Sequence, residues 1–330
     1  MDIRTALKLG IAQLRAANTP SDTLAAELLL LHATSRTRTS LYAHPEYALA
    51  ESESQRYFSL IERRAAGVPT QHLTGKQEFW GLEFRVTPDV LIPRPETEHL
   101  IEVALDRLAL RDLRRKESPN MSGEGLFIAD VGTGSGCIAI ALATELPAAS
   151  IYALEVSPAA LKVAEGNAVR LGVVDRIHFL ESDLFSGLST AGAGGVATLE
   201  GAGCLRQTRE SRITNQGSVL FDLIVSNPPY VGRSEAAALA REVREHEPAI
   251  ALFGGEEGYE LYAELIAQSL AHLKPGGILI LELGHNSRAA VEPLLDSPAW
   301  TNVRVTNDLA GIARVLSSEK ACEFASNALL

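Results

Sequence analysis

Asn227-Pro228-Pro229-Tyr230 combines residue types that hold a flat, amine-bearing group in place. The asparagine side chain offers one carbonyl acceptor and two N–H donors on a planar amide. Two consecutive prolines remove two backbone donors and fix the chain direction, so Asn227 and the carbonyls beside it face one cleft. A planar amino group attached to a π-system suits such a cleft, with one N–H to the Asn227 side-chain oxygen and the other to the Pro228 carbonyl. Tyr230 is positioned by sequence to cover it. Asn-Pro by itself is also a common way to start a turn, so the motif needs support from elsewhere in the chain.

That support comes from three strand ends. Gly132-Thr133-Gly134-Ser135-Gly136 follows a predicted strand and opens a helix, where glycines allow a tight turn and close backbone approach to a ligand. The spacing is G-x-G-x-G, not the G-x-G-x-x-G of dinucleotide pyrophosphate sites, and it suits a ligand without phosphates, such as the amino-acid tail of S-adenosylmethionine. Glu155 ends the next strand, 23 residues after Gly132, where a carboxylate can accept both hydroxyls of a ribose. Asp183 ends the third strand and is expected to bond an adenine amino group, with Leu184 or Phe185 covering the ring. No cluster with metal-ligand spacing accompanies these residues, and no metal is expected. His285 and the three cysteines, Cys137, Cys204 and Cys322, read as packing or surface residues, with Cys137 against the sheet.

The elements that must position these groups follow from hydrophobic period. Strands are predicted at 126–131, 150–156, 176–182, 220–226 and 277–283, alternating with helices at about 136–145, 158–171 and 258–273. That alternation implies a doubly wound α/β sheet. A closing pair at 302–307 and 312–318, joined by Leu309-Ala310-Gly311, implies an antiparallel end. Residues 1–75 read as a small helical domain. Ile3, Leu7, Ile11 and Leu14 share a face, Ser21 is a candidate cap, Leu24, Leu28 and Leu31 share the next helix face, and a third helix covers about 50–66. Residues 76–96 read as a hairpin linker and 97–330 as the catalytic domain, with Thr97 expected to cap a helix over 98–110. Polar stretches at 111–124 and 187–219 read as surface loops, the second long and flexible.

Bulk properties narrow the class. With 46% hydrophobic and 22% charged residues, the 330-residue chain has the balance of an ordinary globular protein with ample core. The odd, scattered cysteines argue for reduced thiols in a cytoplasm, and Met1-Asp2-Ile3-Arg4 opens no signal peptide. No apolar run reaches the length of a membrane span. Residues 1–75 carry 8 basic against 7 acidic residues, and the remainder 22 against 34, so the second half makes a poor general binder of nucleic acid.

Taken together, these residues make the chain resemble the peptide chain release factor glutamine methyltransferases. The likeness runs over nearly the whole length: Leu73-Thr74-Gly75 through Phe79-Trp80, the Leu91-to-Glu98 segment, Gly132 to Gly136, Ser226 to Tyr230, Glu247-Pro248 with Ala251-Leu252, Lys274 to Gly277, Glu282-Leu283-Gly284 and Asp308 to Gly311. Asn-Pro-Pro-Tyr is shared with DNA adenine and several RNA and protein methyltransferases, whereas Arg94 to Glu98 combined with it is more specific. The resemblance implies a class I S-adenosylmethionine-dependent methyltransferase fold, a Rossmann-like seven-stranded sheet whose last strand is antiparallel. It also implies a helical domain that docks the release factor, and methyl transfer to the glutamine side-chain nitrogen of a Gly-Gly-Gln motif, leaving S-adenosyl-L-homocysteine. By position, Gly132, Thr133, Gly134, Ser135, Gly136, Glu155, Asp183, Leu184 and Asn227 would bind cofactor. Asn227, Pro228, Pro229 and Tyr230 would bind and activate the glutamine. Leu184 stands where some members carry tryptophan, so adenine packing there would be aliphatic.

Two other readings share some of these residues. An exocyclic-amine methyltransferase acting on a flipped base would use the same Asn-Pro-Pro-Tyr cleft but needs a basic groove. A non-catalytic scaffold would bind cofactor structurally and leave the cleft without purpose. The glycine spacing disfavours a nicotinamide dehydrogenase.

Overall fold

Strands rich in Ile, Leu, Val and Ala with no polar alternation must be covered on both faces, and the second half of the chain folds accordingly. The computed structural model describes residues 1–114, 117–188 and 219–322. The 187–219 interruption, with Cys204, lies outside the described residues except at its two ends. β3 (Phe127–Val131), β4 (Ser150–Glu155), β5 (Ile177–Glu181), β6 (Phe221–Ser226), β9 (Leu273–Glu282), β10 (Trp300–Asn307) and β11 (Ala313–Lys320) form one seven-stranded sheet. Its order is β10-β11-β9-β6-β3-β4-β5. β11 is antiparallel to both β9 and β10, so the reversed strand is last in the chain but lies one place in from the sheet edge.

The helices divide between the two faces. α6 (Glu98–Arg114) and α7 (Cys137–Glu145) cover one side, where Ile128, Ile138, Ile278 and Val315 are buried together. α11 (Glu260–His272) covers the other, packed on Val131, Leu279 and Leu281 through Tyr262 and Leu265. α8 (Pro158–Leu171) begins on proline after Ser157, whose hydroxyl accepts the Ala160 N–H at 3.3 Å, and ends on left-handed Gly172. The chain leaves β3 toward β4 on one side while β6 lies on the other, which opens a crevice at the carboxyl ends of β3 and β6.

The first 75 residues form a helical unit of α1 (Ile3–Ala16), α2 (Asp22–Thr34), α3 (Arg38–Ala43), α4 (Glu51–Ala65) and α5 (Thr70–Thr74). Two sequence expectations fail there. Ser21 is left-handed, with φ 53°, and its side chain caps nothing, because that turn carries the hydroxyl away from the first N–H groups. Of the Leu24/Leu28/Leu31 stripe, Leu24 and Leu28 are exposed and only Leu31 packs partly against the core; the buried face of α2 is Ala25, Ala26, Leu29, Leu30 and Ala33, whose small residues let α1 and α4 approach closely.

A hairpin of β1 (Lys76–Phe79) and β2 (Leu82–Arg85) links the two parts. Its turn residues Trp80 and Gly81 both have positive φ, as a two-residue hairpin turn requires. Trp80 is held there by Glu98, which accepts its backbone N–H at 2.8 Å, and by Glu145, which accepts its indole N–H at 2.7 Å. The helical unit also meets the second half directly, through Arg64 of α4 and Glu242 of α9 (Arg241–His246), 2.6 Å apart. No helix among the described residues is long and apolar enough to cross a membrane.

Candidate active site

The carboxyl ends of β3, β4, β5 and β6 converge on a cavity of about 320 Å³. The glycine turn after β3 is pinned to the end of β4, because the Gly132 and Thr133 N–H groups both donate to the Leu154 carbonyl, at 2.8 and 3.0 Å. Gly132 and Gly134 line the cavity with positive φ, and a Cβ on Gly132 would meet no protein atom within 4 Å, so it would fill ligand space. The other three residues of the turn do not line it. Thr133 is buried and donates its hydroxyl to Asp130 at 2.6 Å, and Ser135 is buried. A Cβ on Gly136 would press to 3.1 Å from Ala164 in α8. These three hold the turn and the helix behind it rather than contacting a ligand.

Glu155 lines the cavity with a carboxylate locked at both oxygens. Oε2 accepts the Gly134 N–H at 2.9 Å and Oε1 the Ser157 N–H at 3.0 Å. Each oxygen retains acceptor capacity for a hydroxyl. Asp183 lines the cavity beside it, and Leu184 forms the neighbouring wall in a left-handed conformation with φ 48°. That conformation is expensive for a leucine and is held by Ser182, whose hydroxyl donates to the Leu184 carbonyl at 2.7 Å. Phe185 points the other way, buried and stacked on His272 with ring centroids 4.5 Å apart, so of the two expected ring covers only Leu184 faces the cavity.

The Asn227-Pro228-Pro229 corner forms the opposite wall. Asn227 donates from Nδ2 to the Thr97 hydroxyl at 3.1 Å, while its Oδ1 is buried with no hydrogen-bond partner. Leaving a buried carbonyl oxygen unpaired costs roughly 1–3 kcal/mol, so such an atom in a cleft marks a place for a donor. Thr97 therefore does not cap α6; its hydroxyl is taken by Asn227, and a short 3-10 turn over Pro95–Thr97 leads into the helix instead. Tyr230 does not line the cavity. Its ring packs on Gly284, where an added Cβ would come within 2.8 Å of it, and its hydroxyl donates toward Glu282 at 3.5 Å. Burial raises the Tyr230 phenol far above the usual range. Exposed His285 and buried Cys137 stand outside the cavity lining.

Several wall residues went unassigned at the sequence level. Val90 and Leu91 follow the hairpin, and Pro248, Ile250, Ala251 and Phe253 come from the stretch after α9. Leu91, Pro248 and Ala251 belong to motifs that carried the resemblance, whereas Val90, Ile250 and Phe253 gave no signal in the sequence. Asp130 is a further omission. It is fully buried, with Oδ2 accepting from Thr133 and from the Ala139 N–H at 3.0 Å, while Oδ1 has no partner. Burial pushes its carboxyl up to about 7, with the Glu155 charge adding to the rise and its two hydrogen bonds opposing it.

The charge of the lining decides what it can hold. Among the described residues Asp89, Glu155 and Asp183 line the cavity, and no Lys, Arg or His does. A dinucleotide phosphate would find no basic side chain there, whereas a cationic sulfonium with a ribose and an amino-acid tail meets carboxylates, open glycines and apolar walls. The residues present fit S-adenosylmethionine. No group of three or more potential metal ligands occurs among the described residues.

A family model described as the PrmC N-terminal domain matches residues 5–75, and one described as ribosomal protein L11 methyltransferase (PrmA) matches residues 107–193. The release factor glutamine methyltransferase of Koribacter versatilis (strain Ellin345) is 41% identical over 320 residues, covering 97% of this chain and 99% of that one. The protein of the same name from Moorella thermoacetica is 39% identical over 312 residues, covering 94% and 96%. Among solved structures, a methyltransferase from Pyrococcus furiosus aligns with a TM-score of 0.42 at 18% identity, covering 73% of this chain and 90% of that one.

Proposed function

Since the chain belongs to the release factor glutamine methyltransferase family, we propose that it methylates the side-chain amide nitrogen of the glutamine in the Gly-Gly-Gln motif of peptide chain release factors. S-Adenosylmethionine, when bound, supplies an electrophilic methyl group and leaves as S-adenosyl-L-homocysteine. The observation that carries the reading is the buried, unpartnered Asn227 Oδ1 beside a cleft that no basic side chain lines among the described residues.

An amide nitrogen is a weak nucleophile because its lone pair is delocalised into the carbonyl. Asn227 Oδ1 accepts one N–H of the substrate amide and the Pro228 carbonyl accepts the other. Both bonds pull the nitrogen toward tetrahedral geometry and aim its lone pair along one line. The gain is positional and electrostatic, with no strong base required, and the N–H proton lost as the N–CH3 bond forms passes to water. A glutamate substrate has no N–H pair to give and is rejected. Glu155 and Asp183 hold the cofactor's ribose and base, Gly132 and Gly134 admit its tail, and Leu184 covers the ring. Tyr230 shapes the corner from outside the cavity, buttressed by Gly284, instead of stacking on the glutamine from within.

Incubating the enzyme with cofactor and a release factor, then measuring peptide masses, tests the reading. One added methyl group on the Gly-Gly-Gln glutamine is expected. Asn227→Ala should lower kcat about 100-fold or more while cofactor affinity stays within a few-fold. Methyl transfer to nucleic acid and none to release factor would overturn it.

A further inference from the structure

We propose that Arg94 and Glu247 are a positioning pair that closes a ring of contacts around the Asn227-Pro228-Pro229 corner and fixes the far wall of the cavity against it. The inference goes beyond the glutamine reading and rests on it only for the role given to Asn227.

The pair joins two segments that line the cavity and lie 153 residues apart in sequence. Leu91 stands three residues before Arg94, and Pro248, directly after Glu247, begins a wall that continues through Ile250, Ala251 and Phe253. Arg94 Nη2 donates to Glu247 Oε1 at 2.5 Å.

From Arg94 the contacts reach the corner through a single turn. The Arg94 carbonyl accepts the Thr97 N–H at 3.1 Å, and the Thr97 hydroxyl accepts from Asn227 Nδ2 at 3.1 Å. From Glu247 they reach it the other way. Ala249–Leu252 forms one helical turn, Phe253 pairs with Val231 in parallel, and Val231 follows Tyr230. Asn227, Thr97, Arg94, Glu247, Phe253 and Val231 thus make a closed circuit, and its ionic step is the one between Arg94 and Glu247.

That step has a physical reason to hold. The Glu247 side chain is 1% exposed and that of Arg94 32%, so a carboxylate away from water meets a guanidinium at the surface. Glu247 Oε2 has no hydrogen-bond partner, which leaves the pairing to Oε1. Burial raises the Glu247 carboxyl above its ordinary range, and the Arg94 charge opposes that rise. A buried ion pair adds little to global stability compared with apolar side chains of similar size, but a charge-assisted bond is strong and directional. Its loss should therefore loosen the wall and leave the fold intact.

Arg94→Met/Glu247→Met removes the pair without stranding a buried charge, and its urea unfolding midpoint without ligand should stay close to that of wild type. Its dissociation constant for S-adenosyl-L-homocysteine, from calorimetry, should rise about 10-fold, and kcat should fall about 10-fold as the corner loses its backing. Each single Met variant should lose as much as the double, because either removes the whole bond. Arg94→Lys keeps one charged donor and should hold both quantities within about 3-fold of wild type. The Ala251 and Phe253 N–H groups donate to the Pro248 and Ala249 carbonyls, so their hydrogen exchange reports on the wall directly. In the ligand-free full chain, that exchange should be about 10-fold faster in the double variant than in wild type and Arg94→Lys. Wild-type exchange and affinity in the double variant, or single-variant losses that multiply in it, would overturn the pair. So would a loss of protection spread equally over β3 and β6, the mark of a merely structural role. If wild type transfers no methyl to glutamine, the functional reading falls alone, since the exchange rates do not depend on the acceptor.

Discussion

At the scale of single residues, the cavity separates groups that touch a ligand from groups that hold those groups still. Glu155 belongs to both sets, since its oxygens bond the Gly134 and Ser157 N–H groups and also face the cavity. Glu155→Gln substitutes a donor for one acceptor, so one backbone N–H loses its partner and one hydroxyl site is lost. Cofactor affinity measured by calorimetry should fall about 10- to 100-fold, while kcat at saturating cofactor stays within about 3-fold. An unchanged dissociation constant would show that Glu155 serves the turn alone. Which residues reach the cavity was only half visible in the sequence. Asn227 could be read because the prolines after it leave its side chain few directions. Tyr230 could not, because the surfaces that turn it aside, Gly284 and Glu282, lie more than fifty residues away. Thr133, Ser135 and Gly136 share a motif with Gly132 and Gly134, yet alternate turn residues face opposite ways, and spacing alone does not say which.

Elements with a strong hydrophobic period were legible nearly to the residue. The helix expected at 158–171 is α8, and the strand expected at 220–226 is β6, because burial on one or both faces writes the period directly. The segment from Val231 to Gly258 was not, because its order comes from backbone packing on backbone. β7 (Val231–Gly232) and β8 (Phe253–Gly255) pair as two short parallel strands beside the Asn-Pro-Pro corner. A Cβ on Gly254 would lie 2.2 Å from the Pro229 carbonyl oxygen and 2.7 Å from that of Gly258, with no flexible side chain to yield. Gly254→Ala must therefore displace Pro229, and with it the Asn227 carbonyl. A kcat reduced about 10-fold or more, with cofactor affinity within a few-fold, is the expected outcome in steady-state kinetics. Gly166→Ala is the control, since it lies in α8 with nothing within 4 Å of the added carbon. That variant should keep full activity and gain up to about 1 kcal/mol of stability. Equal activities in the two variants would show that the corner does not depend on its backing strand.

Across the whole molecule, residues 76–330 carry an acidic excess, three of its carboxylates line a cavity that among the described residues no basic side chain lines, and the sheet holds the buried Asp130 behind it. The sequence showed the imbalance but not its burial, because Asp130 sits in a motif whose glycines draw the attention. Asp130 is held at about 7 by burial, well above its ordinary 3.8. Between those two values the unfolded chain has released the proton and the folded chain retains it. Folding then takes up a proton, so rising pH disfavours the folded state until the folded group also ionises. This group therefore costs up to about 1.4 kcal/mol of stability per pH unit from near pH 4 to near pH 7, and nothing further above that. Asp130→Asn preserves the shape and an acceptor for Thr133 and Ala139 while removing the titration. The stability of wild type minus that of Asp130→Asn, from urea unfolding without cofactor, should decline by about 2–3 kcal/mol between pH 5 and pH 7. It should then level off toward pH 8. A difference that stays constant over the range would mean that Asp130 is ionised throughout, and that the carboxylates around the glycine turn are better solvated than their burial implies.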